Sequence, residues 1–149
     1  MAESNKPSRW PAWKRVPRFL PVPLRARADG WTAQRQGEFI GWLAQTGSVA
    51  EAARRVGMAR ENAHRLRRRA GAESFAHAWD AIEAYWKGET VPRRKITPSE
   101  LFERADAGEL VILMRRRKFV RAVRQPSNSA LLRLLRRMDS AAARGGSNG

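Results

Sequence analysis

The sequence predicts a mainly α-helical protein: a four-helix unit containing a helix-turn-helix, a basic disordered N-terminal arm, and a small C-terminal helix/hairpin/helix element. Three observations lead there. Apolar residues recur at i, i+3, i+4 spacing in successive segments. Two segments open with a hydroxyl residue followed three positions later by glutamate, Ser48-Val-Ala-Glu51 and Thr97-Pro-Ser-Glu100, the pattern of a capping box. Five of the eight prolines fall within the first 30 residues, where they disfavour helix.

Residues 1–28 read as a Pro-rich basic arm in which Trp10, Trp13, Phe19 and Leu20 interleave with Lys14, Arg15 and Arg18. Residues 29–88 form the four-helix unit. Thr32 is placed to cap a first helix whose inward face is Phe39, Ile40, Leu43 and Ala44. Ser48 opens a short second helix that stops at Gly57; residues 60–69 make a third and 72–86 a fourth, with Phe75, Ala78, Trp79, Ile82 and Trp86 on one stripe. Residues 89–96 are a linker. In 97–142, Pro98 stands at the first helical position, where its missing N–H costs nothing. The stretch 110–124 then reads either as two short strands around Arg115-Arg-Arg-Lys118, which its β-branched content favours, or as a continued helix. Leu131, Leu134, Leu135 and Met138 mark a last amphipathic helix, and residues 143–149 read as a disordered tail.

A length of 149 residues suits one small domain with attached segments. Thirty Lys plus Arg against 14 Asp plus Glu leave a net charge of +16, which attracts polyanions. The excess is +5 over residues 1–30, +3 over 31–88 and +8 over 89–149, so both flanks are more basic than the centre. The absence of cysteine excludes disulfides, thiolate zinc sites and cysteine nucleophiles. No apolar run approaches the roughly 20 residues of a membrane span, and none has the form of a secretory signal; the expected location is the cytoplasm, on the nucleoid.

A helix-turn-helix needs small residues where its helices meet, a residue that accepts positive φ in the turn, and apolar positions facing the core. Ala52 and Ala53, Gly57, and Val56, Met58, Ala63 and Leu66 supply these. With those turned inward, Arg60, Glu61, Asn62, His64, Arg65 and Arg68 point out from the second helix of the pair. Arg60, Asn62, His64, Arg65 and Arg68 are the base-reading candidates, since Arg matches guanine O6 and N7 and Asn matches adenine N6 and N7. Arg25, Arg27, Arg67, Arg69, Arg115, Arg116, Arg117 and Lys118 are the candidates for binding phosphates. The expected partner is double-stranded DNA, with a homodimer or higher homo-oligomer as the assembly.

The chemistry-bearing side chains do not converge into a catalytic set. His64 and His77 lie on different helices, Asp80 and Glu83 read as a solvated acidic face, and no metal-ligand spacing, phosphate loop or nucleophile elbow is present. The expectation is a binding protein without catalytic residues, metal, cofactor or evident small-molecule ligand.

The runs RARADGWT (25–32), TGSVAEAARRVGMARENAHRLRRR (46–69) and GAESFAHAWD (71–80) resemble a family of small bacterial helix-turn-helix proteins. That family is similar to the DNA-binding part of phage terminase small subunits and to simple transcriptional regulators. The resemblance implies a transcriptional regulator or a DNA-packaging protein and spans roughly residues 25–82. The chain departs from it at Ala59, where a capping Ser is usual, and at His64, where Tyr is common. It departs again at residues 115–118, which replace a glycine-bearing turn.

Overall fold

The computed structural model describes residues 16–25, 30–91 and 93–146. Among these, six helices and one two-stranded antiparallel sheet follow in the order α1 (Ala33–Thr46), α2 (Val49–Arg55), α3 (Arg60–Arg67), α4 (Glu73–Lys87), α5 (Pro98–Asp106), β1 (Glu109–Arg115), β2 (Lys118–Gln125) and α6 (Asn128–Gly146). Of the two readings for residues 110–124, the hairpin is the one found.

Local chemistry sets most helix starts. Thr32, Ser48 and Thr97 each accept a hydrogen bond at the side-chain oxygen from the backbone N–H three residues on, at 3.1, 3.2 and 3.2 Å. The glutamates of the two expected capping boxes do other work. Glu51 binds Arg54 and Arg55, and Glu100 binds Arg94, so each box is closed on one side only. An arginine offers a charged donor, and a charge-assisted bond outcompetes a neutral backbone N–H for a carboxylate.

Helix α1 is the centre of the core. Phe39, Ile40, Leu43 and Ala44 are fully buried together with Phe75, Ala78, Trp79 and Ile82 of α4. On another face of α1, Gly37 and Gly41 let the hairpin come close: a Cβ on Gly37 would meet Ala122 Cβ at 2.7 Å, and one on Gly41 would overlap the Phe119 ring. The hairpin reaches this face through an irregular register. Leu113 pairs with Arg121 and Met114 with Phe119, so Val120 is the extra residue of a bulge and is left exposed. Strict alternation from buried Ala122 would have turned Val120 inward; the bulge turns Phe119 inward instead.

The hairpin and the strap before α1 share one core with the four helices, so residues 16–25 of the expected arm and the hairpin within 97–142 pack against the four-helix unit, while the described residues of 89–96 form neither helix nor strand. Residues 16–25 are extended, as their prolines require, but they are not a free arm. Val16, Phe19, Leu20 and Val22 are buried. Their backbone groups find partners: Phe19 exchanges two hydrogen bonds with Leu110, Leu20 N–H donates to Ser74 Oγ at 2.8 Å, and Val22 N–H donates to Gln36 Oε1 at 2.6 Å while Gln36 Nε2 donates back to Val22 O at 3.1 Å. Arg104 ties this corner together. It donates to Glu109 at 2.7 Å, to the Arg18 carbonyl at 3.1 Å and to Ser74 Oγ at 3.1 Å.

Helix α6 starts where Ser127 Oγ accepts from Ala130 N–H, and it runs to Gly146 rather than fraying at 143. The alanines at 141–143, the best helix formers, extend it. It packs on α5, buries Ala130 and leaves Leu131, Leu132, Leu135 and Met138 exposed.

Gly41→Ala is expected to lower stability by roughly 1–3 kcal/mol through overpacking against Phe119, although the same change at an exposed helical site raises it by up to about 1 kcal/mol. Thermal denaturation of the two proteins decides the sign.

Candidate nucleic-acid interface

Helix α2 ends in a Schellman turn. Met58 N–H reaches back to the Ala53 carbonyl at 2.9 Å and Gly57 N–H to that of Arg54 at 3.1 Å, with Gly57 at φ 73°. A Cβ on Gly57 would meet nothing within 4 Å, so only the backbone conformation calls for glycine here. Ala59 then precedes α3 without a side-chain cap bond, as expected from the missing hydroxyl.

The rotation of α3 about its axis is set by four of its side chains. Ala63 and Leu66 are buried between α2 and α4. On either side of them, His64 lies against the Trp79 ring with centroids 5.2 Å apart, and the Arg67 guanidinium sits 4.7 Å over the same ring. Arg67 also forms an ion pair with Asp80. What remains outward is Arg60, Glu61, Asn62, Arg65, Arg68 and Arg69, all exposed. None of the four arginines in that set forms a salt bridge among the described residues.

Two of the candidate DNA-binding side chains are therefore placed differently from expectation. His64 is half-buried and does not join the outward row of base-reading candidates, because its ring packs on the Trp79 indole of α4. Arg67, assigned to phosphate, has its charge matched by Asp80 instead. Spacing alone did not reveal this, since Asp80 lies 13 residues away on α4.

Arg25, at the exposed end of the strap, shares a hollow with Arg69, Leu24, Gly30 and Trp31, which brings it to the C-terminal end of α3. Arg27, like Trp10, Trp13, Lys14 and Arg15, lies outside the described residues. Arg115, Arg116, Arg117 and Lys118 are exposed at the tip of the hairpin. The tip is held from behind: Phe119 packs on Trp42 with centroids 5.2 Å apart, and its N–H donates to Gln45 Oε1 at 2.8 Å. Trp42 carries the Arg55 guanidinium of α2 over its ring at 4.5 Å, so the tip adjoins α2.

The histidine outside this surface, His77, is half-buried; burial and the positive charge of Arg94 push its pKa down. Among the described residues no group of three or more His, Cys, Asp or Glu is placed to hold a metal ion, and no helix is long and apolar enough to cross a membrane. No family model matches the chain, and comparison with curated proteins and with solved structures gives no match.

Ala59→Ser restores an acceptor for the first free N–H groups of α3 and is expected to stabilise the fold by about 0.5–1 kcal/mol. A higher urea midpoint with an unchanged slope is the signature to look for.

Proposed function

We propose that the chain binds double-stranded DNA in a sequence-specific way, with α2 and α3 acting as a helix-turn-helix and α3 lying in the major groove. The observation that carries this reading is the outward face of α3 and its C-terminal end: Arg60, Asn62, Arg65, Arg68 and Arg69 are all exposed, and none of the four arginines forms a salt bridge among the described residues. A solvated helix face ordinarily mixes signs to gain i, i+4 pairs. Glu61 is the one acid on the exposed face of α3 and forms no salt bridge among the described residues, while Glu51 is engaged by Arg54 and Arg55 and Asp80 by Arg67. Asn62 and Arg65 reach base edges, with Arg60 and Arg68 as further base-reading candidates, while Arg25 and Arg69 neutralise phosphates around them.

Transcriptional regulation is the biological role proposed, in keeping with the resemblance of residues 25–82 to small helix-turn-helix proteins. A packaging protein like a phage terminase small subunit would use the same surface in a ring of many copies, and a regulator would use it in a dimer reading two half-sites. Light scattering of the intact protein separates the two. A non-specific nucleoid or RNA-binding role rests on charge alone, and selection of bound duplexes from a random pool tests it: an enriched motif excludes it.

On the selected duplex, Asn62→Ala and Arg65→Ala are each expected to weaken binding by roughly 1–3 kcal/mol, with little change on random DNA. Equal losses on both would reduce these residues to backbone binders. His64→Ala, by contrast, is expected to act through stability rather than through recognition, because its ring is packed on Trp79.

A further inference from the structure

The hairpin turn is built from the wrong residues for its shape. β1 ends at Arg115 and β2 starts at Lys118, leaving a two-residue loop in which Arg116 has φ 52° and Arg117 φ 68°. Two consecutive left-handed residues are the mark of a type I′ turn, which matches the twist of the strands and is ordinarily made by Asn-Gly or Gly-Gly. A side chain bearing Cβ is strained there. Four like charges crowd the same tip, from Arg115 to Lys118, and all four are exposed with no ion pair among the described residues. The charge of Arg117 opposes the upward push of burial on the Tyr85 phenol, which places the tip near that ring.

Backbone strain and self-repulsion act together against folding at this one place. Everything behind the tip is tightly fitted: the bulge at Val120, the Phe119 ring over Gly41, and the bond from Phe119 N–H to Gln45. The tip is thus a prong anchored at Phe119, with four exposed cations that form no ion pair among the described residues.

We infer that this prong is a second DNA-binding point, gripping the phosphate backbone beyond the groove that α3 occupies, and that its arginines are held in strained conformations for this charge. The inference rests on the DNA reading of α3 but concerns a separate surface. The tip is reached from α3 across α2, by way of Arg55 and Trp42. A helix is about 10 Å across, and duplex DNA presents one charge for roughly every 1.7 Å of axis. On this inference the prong meets phosphates a few base pairs from those beside α3, roughly one helix width along the duplex. Binding to phosphates positions a protein without reading sequence, so the prong adds affinity and length of site but no base preference.

Arg116→Asn combined with Arg117→Gly tests this in the full chain, because the change gives the turn its preferred residues and keeps the hairpin. The melting temperature is expected to rise by a few degrees. On the duplex selected by the wild-type protein, the slope of log K against log salt should shrink by about 0.9 for each phosphate that the variant no longer neutralises, with the ranking of duplex sequences preserved. Hydroxyl-radical footprinting should show backbone protection retained around the α3 site and missing on one flank. An unchanged slope and an unchanged footprint, in a wild-type protein that does bind the duplex, overturn the prong while leaving α3 intact. Absence of duplex binding by the wild type removes the DNA reading itself, and the prong with it. A weakening confined to RNA probes overturns the assignment to DNA.

Discussion

The orientation of α3 depends on a single buried indole. Trp79 is completely enclosed, with its Nε1 donating to Glu83 at 2.7 Å, and its ring touches Phe39 and Phe75 in the core and His64 and Arg67 on α3. His64 and Arg67 are one helical turn apart, so they seat α3 on the ring like two points of a cradle, with Ala63 and Leu66 below. The helix can neither roll nor slide without uncovering one of them. Which arginines face solvent is therefore decided in the core, by packing, before any partner is considered.

The same economy governs α1. Its aromatic face builds the core with α4, and its glycine face receives the hairpin. Two glycines inside a helix cost about 1 kcal/mol each relative to alanine, and the close approach they permit offsets this by burying Ala122, Leu110 and Ile112 against the helix. A helix with two packed faces has little choice of orientation. Its neighbours α2 and the hairpin are consequently held at fixed positions on either side of Trp42.

Much of this was legible in the amino-acid order because the signals are local. Helix starts at Thr32, Ser48 and Thr97 follow from a hydroxyl and the spacing of what comes next, and the turn at Gly57 follows from the alanines before it. Valine and isoleucine content favoured strands over helix in 110–124, and strands are present. The exposure of Arg60, Asn62, Arg65 and Arg68 followed from burying Ala63 and Leu66. What was not legible depends on distant partners. The strap looked like a tail because prolines and arginines dominate it, yet Phe19 and Val22 are core residues whose backbone partners are Leu110 and Gln36. His64 and Arg67 looked free because Trp79 and Asp80 lie on another helix. The buried network around Arg104 joins residues from four segments and has no signature in any one of them.

The pairing of Phe19 with Leu110 joins positions 91 residues apart in the chain. Pairings between such remote positions close slowly, because a long loop must be ordered before the pairing rewards it. During synthesis α1 to α4 emerge while their covering strand is still being made, with the apolar side of the strap and the glycine face of α1 bare. The core around α1 is thus completed only when the hairpin joins it, and a fragment cut at the boundaries of the four helices would lack the strands that cover the glycine face of α1.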